Sequence, residues 1–224
     1  MKAMILAAGR GERMRHLTEN TPKPLLKVAG KALIEYSLEG LANAGFTEIV
    51  INVAYLGQQI QDYCGDGRRW GVSIRYSDEG ETALETAGGI AKALPLLGEK
   101  PFLVVNADIL FDYPLAELRN KSIAWAHLIM IDNPPHHPQG DFCLQTDGIL
   151  SEQGEPTFTF SGIGIYHPAM FADVPVGEPL KLRPLLNAGM QQRRISGEYF
   201  NGLWLDIGTP ERLQEISISL SSIA

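Results

Sequence analysis

The strongest constraint in this sequence is an alternation. Short apolar runs are followed repeatedly by stretches whose apolar residues recur at helical spacing. "KAMILAA" reads as a buried strand, and "LIEYSLEGLANAG" as a helix closed by Gly45. "TEIVINVAY" is a second strand and "LGQQIQDYC" a short helix; "VSIRYSD" is a third strand, "TAGGIAKALPLL" a helix and "PFLVVNAD" a fourth strand. Strands that are apolar throughout and separated by helices must pair in parallel, with the helices covering both faces of the sheet. Past residue 120 the pattern loosens. "IAWAHLIMID" is a long apolar strand, the loop "NPPHHPQGD" follows, and shorter strands are expected at "DFCLQ", "TFTFSG" and "IGIYH". Helices are expected at "LKLRPLLNAGMQ" and "TPERLQEISISL", the last capped by Thr209 with Pro210 in its first position. No repeat, low-complexity segment or linker divides the chain, so one α/β domain with a mixed, mostly parallel sheet is expected over residues 1–224.

A parallel sheet binds its ligands beyond the carboxyl ends of its strands. The loop after the first strand, residues 7–31, is therefore in a functional position, and it is rich in bare backbone and cations. Gly9 and Gly11 lack Cβ atoms, so backbone N–H groups can approach phosphate oxygens there, and Arg13 and Lys23 add full positive charges. The charge is local, because the whole chain carries a formal −7. That balance argues against non-specific binding to nucleic acid or an anionic membrane.

Two familiar phosphate motifs do not fit. A Walker loop needs G-x-x-x-x-G-K-[ST]; here Ala32 follows Lys31, and Leu25 stands at the first glycine. The dinucleotide fingerprint needs a third glycine where the chain has Met14, and an acidic residue ending the second strand where it has Asn52.

The segment "LAAGRGERMRHLTENTPKPLLKVAGKALIEY" instead resembles the signature of the sugar-1-phosphate nucleotidylyltransferases, L-A-A-G-x-G-x-R-(M/L)-x-x-L-T-x-x-x-P-K-P, with Ala32 as a small departure near its end. "VVNAD" and "LWLDIGTPERL" resemble two further segments of that family, so the likeness runs from residue 3 to about 213. It implies a Rossmann-like α/β/α sandwich of the nucleotide-diphospho-sugar transferase type. The half up to about residue 120 would bind nucleotide, and residues 121–224 the sugar. By this resemblance Ala7, Gly9, Gly11, Glu12, Arg13, Lys23 and Asn106 line the nucleotide site, with Lys23 and Arg13 offsetting charge at the reacting phosphates. Asp108 and Asp206 would hold Mg²⁺. "ETALETAGGI" resembles the family's G-T-A-G segment, offering Thr86 and Gly88 as contacts, but Glu85 replaces the first glycine. Thr86 reads equally well as a helix cap. Gly140 and Glu152 resemble the family's sugar contacts, whereas His136 and His137 read either as exposed loop residues or as partners of an acidic sugar substituent.

The absence of an obvious His or Glu base fits this chemistry. A sugar 1-phosphate, with a second pKa near ~6, is already mostly dianionic at neutral pH. The obstacle is repulsion between anions, and the remedy is positioning with charge neutralisation. Compact length, "LETAGGI", "NPPHHPQGDF" and "TFSGIGIYHP" resemble the members that use UTP and N-acetylmuramate α-1-phosphate in cell-wall recycling. GTP with mannose 1-phosphate, a choline-phosphate cytidylyltransferase of the same fold, and a nucleotide sensor without catalysis remain as alternatives. The expected compartment is the cytoplasm: Arg10, Glu12, Arg13 and Arg15 interrupt the only leader-like run. Cys64 and Cys143 lie far apart in sequence and read as buried thiols.

Overall fold

The computed structural model describes residues 1–221; residues 222–224, the end of the expected domain, lie outside the described residues. In chain order it contains β1 (Ala3–Leu6), a small hairpin of β2 (Lys27–Val28) and β3 (Lys31–Ala32), α1 (Leu33–Asn43), β4 (Glu48–Val53), α2 (Gly57–Cys64), β5 (Ser73–Asp78) and α3 (Glu85–Leu97). It continues through β6 (Phe102–Asn106), β7 (Ile109–Phe111), β8 (Ala126–Ile131), β9 (Phe142–Leu144), β10 (Leu150–Ser151) and β11 (Thr157–Tyr166). The last elements are α4 (Leu182–Gln191), β12 (Ile195–Tyr199), β13 (Trp204–Asp206) and α5 (Pro210–Ser221).

The strands β5, β4, β1 and β6 pair in parallel in that order. β11 enters antiparallel beside β6 and carries β8 on its other side, with β12 parallel to β8 at the far edge. The amino-terminal end of β11 also pairs with β9, which pairs with β10. The expected mixed α/β/α sandwich is therefore present. Side chains alternate across it with the period of two that a pleated strand imposes. Ala3 and Ile5, Ile49 and Ile51, and Leu103 and Val105 pack on the α1 and α2 face. Met4, Val50, Phe102 and Val104 pack on the α3 and α4 face.

Two expected strands are one. "TFTFSG" and "IGIYH" form the continuous β11, whose register with β8 shifts between Phe160 and Gly164. The irregularity contains Gly162 at φ +84, where a Cβ would stand 2.5 Å from the Asn106 amide nitrogen. Glycine here lets β11 pass close to the ligand end of β6. The short strands β7, β12 and β13 have too little apolar alternation to be read from sequence. β13 pairs antiparallel with β7, so a segment near the end of the chain returns to the tip of β6.

A third apolar cluster positions the glycine loop. Met14, Leu26, Val28, Leu33 and Leu110 pack with Ile207 and with Ile216 of α5. Met14 is fully buried, and its N–H donates to the Gly11 carbonyl at 2.8 Å. The Thr18 hydroxyl reaches the carbonyls of Gly11 and Arg15 at 3.1 and 3.2 Å. The loop is thus clamped beneath α5, whose start carries the expected cap: the Arg212 N–H donates to the Thr209 hydroxyl at 3.3 Å. Met14→Ala is expected to lower unfolding free energy by about 2–5 kcal/mol in urea titrations. A loss below about 0.5 kcal/mol would show that the clamp does not depend on this side chain.

Candidate active site

A cavity of about 600 Å³ opens beyond the carboxyl ends of β1 and β6. Its wall includes Ala7, Gly9, Gly11, Glu12, Arg13 and Lys23 from the amino-terminal loop, Thr86 from α3, and Asn106 and Asp108 at the end of β6. Nothing lies within 4 Å of the position a Gly9 Cβ would take. Gly11 sits at φ +69, and a Cβ there would stand 3.0 Å from the Lys23 Cβ. Bare backbone at position 11 therefore makes room for the lysine itself. Lys23 is only 8% exposed, and its ammonium pairs with the Asp108 carboxylate. Arg13 is exposed on the cavity wall and makes no ion pair among the described residues.

Asp206 reaches the same end of the sheet through the β7–β13 ribbon, where it stands opposite Ile109. The next residue fastens the ribbon: the Ile207 N–H donates to the Asp108 carbonyl at 2.9 Å. Two aspartates 98 positions apart are thereby made neighbours (206 − 108). Asp206 pairs with Arg212, and His136 Nε2 lies 3.4 Å from its other oxygen. Gly208, two residues on, lines the cavity directly. Each aspartate thus already has a cationic partner.

Among the described residues, no three His, Cys, Asp or Glu side chains gather into a preformed cage. Asp108 on the cavity wall, with Asp206 on the adjoining ribbon, nevertheless fits Mg²⁺. This ion demands hard oxygens, keeps several waters, and is usually held by one or two carboxylates together with substrate phosphates.

Asn52 and Glu79 are among the residues of this wall that sequence reasoning passed over. The Asn52 amide oxygen accepts from the Ala7 N–H at 2.9 Å, and its nitrogen donates to Glu79 Oε1 at 2.7 Å. Glu79, only 7% exposed, accepts from the Leu84 N–H at 2.6 Å through its other oxygen. This relay fixes the start of the glycine loop relative to the segment that leads into α3. Asn52 had counted only as a missing acidic residue; its position at the end of a buried strand was the available signal.

Besides Asp206, three expected site residues lie outside the cavity wall. The Gly88 N–H is taken by the Leu180 carbonyl at 3.2 Å, and a Cβ at Gly88 would meet the Glu178 carbonyl oxygen at 2.3 Å. Gly88 and Gly89 are packing glycines; the second leaves space for the Glu79 carboxylate. Gly140 forms a turn with its N–H on the His137 carbonyl, against the side chain of Asn133. Glu152 is exposed, facing Gln191 at 3.5 Å. Thr86 is not a cap, because α3 begins at Glu85 with Leu84 in the cap position. Glu85 holds φ +57, the left-handed conformation a glycine would adopt freely. His137 lies 3.3 Å from Asp141.

The sequence profile of the family described as Nucleotidyl transferase matches residues 2–222. This chain belongs to that family. It is 56% identical over 223 residues to N-acetylmuramate alpha-1-phosphate uridylyltransferase of Neisseria meningitidis serogroup B, covering 96% of each chain. It is 37% identical to the protein of the same name from Caulobacter vibrioides, covering 93% of this chain and 92% of that one. A crystal structure described as a glucose-1-phosphate thymidylyltransferase from Bacillus anthracis superposes with a TM-score of 0.85 over 100% of this chain and 96% of that one. At 21% identity that likeness speaks to the fold, which is shared throughout.

Asn52→Ala would remove both arms of the relay and leave Glu79 buried with one donor fewer. It is expected to destabilise the protein by about 1–3 kcal/mol and to raise KM for the nucleotide more than it lowers kcat. Parent-like KM together with parent-like stability would rule out the positioning role.

Proposed function

We propose that this chain transfers the uridylyl group of UTP to N-acetylmuramate α-1-phosphate, giving UDP-N-acetylmuramate and pyrophosphate for peptidoglycan recycling. Mg²⁺ would be held by Asp108 and Asp206, with Lys23 and Arg13 as the cations of the reaction. The observation that carries this reading is the convergence of the glycine loop, the half-buried Lys23–Asp108 pair and the ribbon-borne Asp206 at one strand end. Two relatives bearing the uridylyltransferase name, matched over nearly their whole lengths, support the choice of base and acceptor.

A phosphate oxygen of the acceptor attacks the α-phosphorus. The new P–O bond forms as the bond to the bridging α–β oxygen breaks, and that electron pair leaves with pyrophosphate. No proton has to move at the reacting oxygen, because the acceptor phosphate is dianionic above its second pKa of about 6. Backbone around Gly9 and Gly11 orients the triphosphate, while Lys23 and Arg13 oppose the charge that gathers at the α-phosphate. When bound, the metal adds charge neutralisation across the phosphates. The nucleotide side draws mainly on residues 1–120, which supply all of the larger cavity's wall except Gly208. A second cavity, built partly from residues 141–186, suits the acceptor. Buried, unpaired thiols at Cys64 and Cys143 are compatible with the cytoplasm, and no described helix is long and apolar enough to cross a membrane.

Pyrophosphate release should be fastest with UTP and N-acetylmuramate α-1-phosphate in a panel of four nucleoside triphosphates and several sugar 1-phosphates. Lys23→Ala should lower that turnover by about 10²- to 10³-fold. Turnover within a few-fold of the parent would remove Lys23 from the chemistry. Faster reaction of GTP with mannose 1-phosphate would overturn the choice of base and acceptor.

A further inference from the structure

Beside the larger cavity lies a second of about 330 Å³, and the two share Leu6, Glu85, Thr86 and Asn106 in their walls. Its size falls within the usual range for small-ligand sites, about 300–1,000 Å³. Part of its wall is apolar, formed by Phe142, Phe160, Leu182 and Leu186. Tyr166 is 1% exposed and lines the cavity, and its hydroxyl makes no hydrogen bond among the described residues. Gly164 lies beside that hydroxyl, which a Cβ there would meet at 3.1 Å. Burial pushes the phenol's pKa upward, so it remains a donor. Facing the cavity with no acceptor among the described residues, it is available to a polar ligand.

The cations of this cavity are not equivalent. Arg183 donates to Asp141 Oδ1 and to the Asp141 carbonyl, both at 3.0 Å, and its guanidinium lies 4.8 Å from the Phe142 ring centre. Its charge is therefore answered and its position fixed. Asp141 is also engaged, accepting from the Phe160 N–H at 2.9 Å. Lys181, immediately before α4, lines the same cavity and has no anionic partner among the described residues. Glu85 shares the wall without forming an ion pair with it.

We propose that Lys181 is the specificity residue for the acceptor, binding the carboxylate of an acidic sugar in this second cavity. The inference rests on the proposed function and deepens it. N-acetylmuramate differs from N-acetylglucosamine by a lactyl ether, and that ether carries the carboxylate. An ammonium without an ion-pair partner favours the acid over the neutral sugar, whereas His136 and His137, which the sequence offered for this task, lie against Asp206 and Asp141 at 3.4 and 3.3 Å. Lys181 is exposed, so its replacement leaves the core untouched.

Initial rates with UTP and either N-acetylmuramate α-1-phosphate or N-acetylglucosamine α-1-phosphate test this in the parent, Lys181→Ala and Lys181→Arg proteins. In Lys181→Ala, kcat/KM for the acidic acceptor should fall about 10- to 100-fold, mainly through KM. Values for the neutral acceptor and for UTP should stay unchanged, and Lys181→Arg should restore most of the preference. An equal fall for both acceptors would assign Lys181 to the phosphate common to them and overturn the proposal. An unchanged preference in Lys181→Ala would overturn it alone, with the uridylyl-transfer reading intact. A parent protein that did not use the acidic acceptor would overturn both.

Discussion

The half-buried pair between Lys23 and Asp108 joins the loop after β1 to the end of β6, and the site is arranged around that link. The loop needs glycine at position 11 because the lysine occupies the space a side chain would fill. It needs Met14 buried beneath α5 because a loop of bare backbone has no rigidity of its own. Removing one partner of a buried pair leaves an uncompensated charge at a cost of several kcal/mol, less here because the aspartate is about one-third exposed. A ligand that brings both phosphates and a cation can exchange partners with the pair without leaving either charge bare.

The same logic explains how an acidic protein handles an anionic substrate. The formal charge of −7 is a property of the whole surface, whereas the cavity wall sets Arg13, Lys23 and loop backbone at close range to one another. Asp206 is kept compatible with this environment by Arg212 and His136. The fold contributes neighbourhood: the β7–β13 ribbon delivers a carboxylate from near the end of the chain to the strand tip where Asp108 already stands.

Much of this was legible in the sequence, for identifiable reasons. The parallel strands, their helices and the loop after β1 were visible because burial on both faces forces continuous apolar runs. Gly9 and Gly11 could be placed at the cavity from sequence, since they follow a buried strand. The packing role of Gly88 could not be read, because what it accommodates, the Glu178 carbonyl, is 90 residues away in sequence. The continuity of β11 was hidden by the glycine that makes its irregularity possible. Asn52 was legible only as an absence, and its partners Ala7 and Glu79 come from two other strands or their ends. The second cavity could not be read at all, since it is assembled from six separate parts of the chain.

The most direct measurement is the binding of Mn²⁺, standing in for Mg²⁺, to protein saturated with UDP-N-acetylmuramate, followed by electron paramagnetic resonance. If the two aspartates share one ion, Asp108→Asn and Asp206→Asn should each weaken that binding by about tenfold or more. Parent-like binding in either variant would contradict the assignment of a shared metal to the paired strand ends.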